Sequence, residues 1–460
     1  MNRILVLSPL ASQISYFKFA VSGFRSQVSA FILLGLLAIP ARAQDHPILT
    51  PETVMAQTLA HSLDLQSADQ ELWAASARRS QARAQALPTL DARLLARHYE
   101  GLANTPIGPE FTLPVIEDRY SASVGLTQPL YTGGRITSRQ QSAAQHEAAV
   151  RVSRQGVAAD VALQALTAYW NWSKAFHSVA SLRAALARVE AHTADMRSLF
   201  KAGMATDYET LATEVLLDQT RLRLEDAQRR VDLARARIAF LTGRMPDASA
   251  LPLPPVIPAD EPVAAEAAAL RSAATNRAEL AAARMEAWAA ESLVRASRAD
   301  FWPQVFLTAR YEEARPNLQD FPPVDEWSEE AFVGGVLSWD FWDWGLTRGR
   351  TAEAAARAAQ ADLRCGQIEE RITLQVREAR INLLDARERL RVAERVTQSA
   401  QRNLDAATDQ WKNGLARHSD VLDAQAQLTD AQYQRIAAQA DVLLARAALD
   451  HAQGLLGPKG

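Results

Sequence analysis

Residues 120–127 alternate between apolar and small polar side chains: Tyr120, Ala122, Val124 and Leu126 against Ser121, Ser123, Gly125 and Thr127. Successive strand side chains point to opposite faces, so this pattern predicts a strand with one apolar face. From residue 135 to residue 200 the apolar residues instead recur at steps of three and four, without a proline. That spacing predicts an amphipathic helix of coiled-coil type. At about 1.5 Å rise per residue it would be roughly 100 Å long, which is too long for the core of a compact domain.

The same two periods predict the other elements. Strands are expected at 90–99, 120–130, 305–312 and 331–341, and further helices at 51–86 and 207–242. Residues 244–262 contain six prolines and are expected to form a linker.

The second half of the chain repeats the first. Trp411 and Gly414 lie 211 residues after Phe200 and Gly203. Gly345 and Gly454 follow Gly134 and Gly243 at the same interval. A repeat of this length is far longer than the ~20–50 residues of solenoid repeats, so the pattern indicates a duplicated half-protein. The predicted organisation is a first repeat at 44–243, the linker at 244–262, a second repeat at 263–454 and a short tail at 455–460.

Helix lengths suggest how each repeat is built. The helices at 51–86 and 207–242 are each about half as long as the helix at 135–200. Stacked end to end, the two shorter helices would match the long one, and the proline-rich linker would lie at mid-height. Each repeat would then be a coiled-coil column with two strands at one end and a tight turn at the other.

The four strands predict association of several copies. Each strand has about the ~9–11 residues that cross a bilayer when tilted. An open four-stranded sheet in lipid leaves two unpaired edges, and each unpaired backbone group costs several kcal/mol. The smallest bacterial barrels have about eight strands, so one chain is expected to supply only part of a barrel.

Aromatic residues cluster where the predicted strands meet the helices. Tryptophan and tyrosine prefer the bilayer interface, so these side chains are expected at the membrane boundary. The alternative is an apolar cluster that plugs a soluble sheet against a helix. The set is Tyr131, Trp302, Trp339, Phe341, Trp342 and Trp344.

Composition and the N-terminus narrow the function. The 460 residues carry a formal net charge of −3, which gives no sign of nucleic-acid binding. A basic region, an apolar run at 31–39 and Ala41-Arg42-Ala43 predict a cleaved signal peptide at 1–43. No catalytic motif, paired cysteine or phosphate-binding glycine loop appears, so we expect neither an enzyme nor a cofactor or metal site.

Several short motifs resemble the TolC-like outer membrane efflux family over essentially the whole mature chain. They are Trp-Lys-Asn-Gly at 411–414, Asp-Val-Leu-Asp-Ala at 420–424, Phe-Lys-Ala-Gly at 200–203, and Leu-Thr-Gln-Pro-Leu-Tyr at 126–131 followed by Gly133-Gly134. The resemblance implies a mainly α protein with an internal duplication. It also implies a homotrimer, with a twelve-stranded β-barrel in the outer membrane and a coiled-coil α-barrel in the periplasm. The chain would be the exit duct of a tripartite efflux or type I secretion system, docked on a periplasmic adaptor (membrane fusion) protein and an inner-membrane pump of the RND, ABC or MFS type.

The resemblance also implies sites at the periplasmic tip. Asp420 and Asp423 fall where the family carries constriction acids, Glu209 is the first-repeat equivalent, and Arg417 is a candidate closed-state arginine. The alternative is that these acids stabilise helix N-termini, and Thr206 with Glu209 also forms a capping-box pattern. The candidate adaptor contacts are Gly203, Met204, Ala205, Gly414, Leu415 and Ala416. His418, beside the candidate constriction, is expected to be a solvated tip histidine rather than a metal ligand.

One competing hypothesis stays open at this point. A soluble periplasmic coiled-coil scaffold or adaptor would also contain long amphipathic helices. Within the duct hypothesis, the sequence does not separate drug, metal and protein export.

Overall fold

The computed structural model describes residues 48–101, 105–106, 112–113, 115–247, 249–257 and 262–457. These residues belong to one compact unit. The predicted signal peptide lies outside the described residues.

The first half of this unit contains strands β1 to β5 and helices α1 to α4, and the second half contains strands β6 to β8 and helices α5 to α8. The strands are β1 (Ile48–Leu49), β2 (Thr89–His98), β3 (Thr105–Pro106), β4 (Thr112–Leu113), β5 (Asp118–Tyr131), β6 (Leu251–Pro252), β7 (Gln304–Arg315) and β8 (Ser328–Ser338). The helices are α1 (Pro51–His61), α2 (Leu63–Ala84), α3 (Arg135–Lys201), α4 (Asp207–Thr242), α5 (Glu266–Asn276), α6 (Ala278–Arg298), α7 (Leu346–Lys412) and α8 (His418–Ala452). A 3₁₀ turn, Ala299–Phe301, follows α6.

The predicted duplication is confirmed. The long helices α3 and α7 have 67 residues each, and the returning helices α4 and α8 have 36 and 35. We call α3 with α4 the first hairpin and α7 with α8 the second hairpin. Each hairpin has an apolar core, in which Val179 and Leu182 pack near Ala227 in the first and Leu404 packs near Leu428 in the second.

The four long strands form one antiparallel sheet in the order β2-β5-β7-β8. Its register places the predicted alternating positions of β2, β5 and β7 on common faces, whereas β8, which lies three residues earlier than predicted, has apolar residues on both faces. Leu90, Leu126, Ala309 and Val333 form one cross-strand row, and Asp91, Gly125, Arg310 and Phe332 form the next row on the opposite face. The strands β2 and β8 are the two edges of this sheet.

The helix predicted at 51–86 is interrupted, which the sequence analysis missed. Ser62 leaves the helical conformation with ψ 121°, and its Oγ accepts a hydrogen bond from Leu65 N at 3.2 Å. Arg277, with ψ 116°, also leaves the helical conformation and separates α5 from α6, but it makes no side-chain capping hydrogen bond. The apolar spacing continues on both sides of each break, so periodicity alone could not reveal it. For the first break, the sequence signal was Ser62, because serine can cap the N-terminus of a helix.

The residues at 249–257 pack at the middle of α3. Tyr169 Oη donates a hydrogen bond to Leu49 O at 2.8 Å and accepts one from Leu253 N at 2.9 Å. β1 pairs with β6 in parallel beside it. Burial raises the pKa of Tyr169 to about 12, so its hydroxyl stays a donor. The start of α1, the middle of α3 and the linker are therefore joined at one level.

None of the helices that the structure describes is both long enough and apolar enough to cross a membrane.

Candidate functional site

The two hairpins end in turns of the same geometry. Gly203 has φ +71° and Gly414 has φ +73°, which only glycine adopts without strain. The amide that follows each glycine donates back into its long helix: Met204 N to Leu199 O and Leu415 N to Gln410 O, both at 2.9 Å. A side-chain methyl would meet no neighbouring atom at either glycine, so backbone conformation alone explains the residue type.

These turns present apolar side chains to solvent. Met204 is 71% exposed and Leu415 is 80% exposed. Ala205 and Ala416 beside them are partly buried. Exposed apolar side chains at the end of a helical hairpin are suited to contact a partner.

The candidate constriction acids cap the returning helices. Glu209 Oε2 accepts hydrogen bonds from Thr206 N and from Thr206 Oγ1, both at 2.8 Å, which lowers the pKa of Glu209. Asp420 Oδ2 accepts from Arg417 N at 3.0 Å. The capping alternative is therefore confirmed for Glu209 and holds for Asp420 as well.

The acids at the tip of the second hairpin remain exposed to solvent although Asp420 caps α8. Asp420, Asp423 and Arg417 are exposed, whereas Glu209 is half-buried. Asp423 follows Asp420 by three residues and therefore lies near it on the same side of α8. Their role in a constriction stays a prediction.

The expectation of a solvated His418 was wrong. Its side chain is 3% exposed and stacks on His192 of α3, with ring centroids 4.7 Å apart and planes inclined by 26°. Trp411 packs on both rings, with centroid distances of 5.6 Å in each case. His418 Nε2 lies 3.0 Å from Thr213 Oγ1 on α4. The first residue of α8 thus turns inward between the hairpins instead of toward solvent.

The histidine pair was missed as a unit because its members are more than 200 residues apart in sequence. The available signal was that His192 continues the α3 core spacing between Val189 and Met196, which are both buried. Burial is the largest cause that lowers the pKa of His192, to about 4, and His418 adds to the shift. Within the described residues no group of three or more His, Cys, Asp or Glu side chains is placed to hold a metal ion.

The predicted interface aromatics gather at the other end of the hairpins. Trp339 Nε1 donates to Phe301 O at 3.1 Å, and the rings of Trp342 and Trp344 are 5.7 Å apart. The whole set is exposed: Tyr131, Trp302, Trp339, Phe341, Trp342 and Trp344. Their place at a membrane boundary stays a prediction.

The duplicated chain, with its two long hairpins and four-stranded sheet, matches the model of a family of outer-membrane transport proteins. The family described as "Outer membrane efflux protein" matches residues 54–244 and 269–455. The chain belongs to this family. It is accordingly an efflux duct of the outer membrane and not an enzyme.

Solved structures support the same fold. The outer-membrane channel OprN is 22% identical, with a TM-score of 0.76 over 88% of this chain and 89% of OprN. VceC from Vibrio cholerae is 20% identical, with a TM-score of 0.72 over 88% and 96%. The MtrE outer membrane channel of Neisseria gonorrhoeae, described in its open state, is 18% identical, with a TM-score of 0.74 over 89% and 90%. A comparison with curated protein sequences found no match.

Proposed function

We propose that this chain forms, as a homotrimer, the exit duct of a tripartite efflux or type I secretion system. The main observation behind this proposal is that a single chain has two sides that pack against nothing else in the chain. One side carries β2, α2 and α4, and the other carries β8 and α7, because the packing order is β2-β5-β7-β8 in the sheet and α2-α3-α6-α7 in the helices next to it.

The first side has an exposed apolar stripe along α4. Its members are spaced by three, four, seven or eleven residues, which keeps them on one helix face. This face is opposite the one that packs on α3, where Leu217 and Ala227 are buried. The stripe consists of Tyr208, Leu211, Val215, Leu222, Leu233 and Phe240, each more than 50% exposed.

The second side has a matching stripe along α7. Leu363, Leu374, Ile381 and Val392 recur at intervals of eleven, seven and eleven residues, and they are 40–70% exposed. Apolar stripes of this kind are normally buried against another helix. We infer that α4 of one copy packs on the tip half of α7 of the next copy, near Ile381 and Val392, and that α2 of the first copy packs higher on the same α7, near Leu363 and Leu374. On the same side, β2 of the first copy pairs with β8 of that next copy.

Such a contact joins two different surfaces and repeats around a closed ring. Three copies would supply twelve strands, which exceeds the minimum of about eight in bacterial barrels. The ring pairs both edges of the four-stranded sheet, β2 and β8, and its helices enclose a tunnel below the sheet. Outer membrane lipid would surround the strands, and the exposed aromatic set would lie at the lipid boundary.

The exposed tip is the proposed docking surface for a periplasmic adaptor, which would link the duct to an inner-membrane pump of the RND, ABC or MFS type. A test is crosslinking in cells from a photoreactive residue at Leu415 or Met204, with Gln228 on the side of α4 as the control position. Capture of a periplasmic adaptor from the tip positions alone is expected. Equal capture from Gln228 would contradict docking at the tip.

The constriction can be tested by conductance. Neutralising two exposed acids with Asp420→Asn and Asp423→Asn should weaken block by an added polycation in reconstituted bilayers, because a ring of carboxylates attracts cations. We expect the blocking concentration to rise on the order of tenfold. The matched control is Asp362→Asn with Glu369→Gln, which removes the same charge from exposed positions on α7. Unchanged block in the tip variant would remove these acids from the constriction.

A further inference from the structure

The contact between the two hairpins differs in kind from the contacts inside them. Each hairpin has an apolar core, but α3 meets α8 through polar side chains. Lys174 Nζ is 3.2 Å from Asp441 Oδ1, and Ser181 Oγ donates to Gln432 Oε1 at 3.2 Å. We call this α3–α8 contact below mid-height the interhairpin seam.

Polar residues continue along the seam toward the tip. On α3, Lys174, Ser181 and Arg188 recur every seven residues, and His192 follows four residues later. On α8, His418, Gln425 and Gln432 also recur every seven residues. In the described structure Arg188 Nε and Nη2, His192 Nε2, His418 Nδ1 and Gln425 Nε2 are buried without a hydrogen-bond partner. Buried polar atoms without partners destabilise a contact, so the seam is the weaker of the two kinds of helix contact.

The histidine pair lies at the tip end of this seam. His192 belongs to the first hairpin and His418 to the second, so their stacking, together with the His418–Thr213 contact, spans the boundary between the hairpins. Both contacts are lost if the hairpins separate. Trp411 covers the pair on the α7 side.

We propose that His192 and His418 form an acid-sensitive lock between the hairpins: the neutral pair holds the tip closed, and its protonation opens the seam. Two cationic rings at a centroid separation of 4.7 Å repel each other, and burial weakens the screening by water, because His418 is buried and His192 is partly buried. The inference rests on the proposed duct function.

The charges around the pair modulate the response without cancelling it. Asp195 on α3 favours protonation of His192, and Glu209 on α4 favours protonation of His418. From α7 the facing group is the uncharged indole of Trp411, and α8 contributes His418 itself. Burial outweighs both carboxylates, because the pKa values of both histidines remain below the ordinary 6.5.

The direction of the pH effect follows from these shifts. A group whose pKa is lower in the closed form stabilises that form above its ordinary pKa of 6.5, and this contribution is lost as the pH falls toward 4. Opening should therefore increase on acidification. We expect tip opening to rise on the order of tenfold between about pH 7.5 and about pH 5, if opening returns the rings to water.

The test uses the full-length protein in planar bilayers, with conductance recorded over this pH range. Wild type should show a reversible increase in acid. The variant His192→Phe with His418→Gln, which keeps a ring and a donor at the two positions, should show a flat profile. His177→Gln is the matched control, because His177 is also on α3 and has a pKa lowered by burial, but it faces the linker. It should keep the wild-type response.

A second measurement reads the tip directly. Spin labels at Met204 and Leu415, in a background with Cys365→Ser, should move apart in acid only when both histidines are present. Repeating the titration with Asp420→Asn and Asp423→Asn tests whether the exposed acids cause the pH response. We expect the response to persist in this variant. A pH response that persists in the histidine variant would contradict the histidine lock but not the duct function. The same holds if the conductance of the wild type does not change with pH. Absence of any conductance at every pH would overturn the duct function as well.

Discussion

Leu222→Glu with Leu233→Glu should leave the chain folded and abolish the trimer. Both leucines are exposed in the single chain, at 62% and 72%, so glutamate is tolerated there before assembly. In the proposed ring they are buried against α7 of the next copy, where an unpaired carboxylate is strongly unfavourable. Wild type should migrate as a heat-modifiable trimer after detergent extraction, and the variant should migrate as a monomer.

A charge added elsewhere on α4 is the control that tells loss of the apolar stripe from a general effect of added charge. Gln228 is exposed and lies away from the stripe, so Gln228→Glu should preserve the trimer. Far-UV circular dichroism of the double variant should match wild type. A stable trimer that carries both glutamates would contradict the ring arrangement.

Trp172→Ala should give the largest loss of stability of any single substitution at mid-height. The indole is 1% exposed and packs against Tyr169 at 6.1 Å, in a cluster with Val54, Ile238 and Leu241. Removing a buried aromatic ring costs about 3–5 kcal/mol, because a cavity remains. Chemical denaturation in detergent should show a correspondingly lower midpoint.

Trp172→Phe provides the matched control for this prediction. Trp172 Nε1 is buried with no hydrogen-bond partner in the described structure, so phenylalanine loses little beyond part of the ring volume. We expect this variant to retain most of the stability. If phenylalanine and alanine were equally damaging, ring packing would not be the source of the stabilisation.

The sequence predicted the elements whose periods are long and uninterrupted. The returning helix at 207–242 matches α4 at both ends, and the helix at 135–200 matches α3 to within one residue. Glycine or threonine residues mark the ends of these helices, and such end signals can be recognised from neighbouring residues alone. The four strands were placed for the same reason, since alternation is a property of neighbouring residues.

Features that depend on tertiary contacts were not predictable in this way. The break at Ser62 interrupts an apolar spacing that continues on both sides. His418 was expected in solvent because it follows an exposed turn, and only the position of His192 on another helix explains its burial. The buried polar groups without partners in the interhairpin seam could not be predicted either, because they depend on how α3 packs against α8. Their spacing of seven residues resembles an ordinary solvated helix face.

The position of Tyr169 has a mechanical consequence for the tip. Its two hydrogen bonds tie α3 to Leu49 and to the linker at Leu253, 32 residues before the helix ends at Lys201. The part of α3 below this point is about 50 Å long, so a tilt of about 10° about Tyr169 would displace its end by roughly 8 Å. We therefore expect a small rotation at this packed level to produce a wide movement at the far end of the helix.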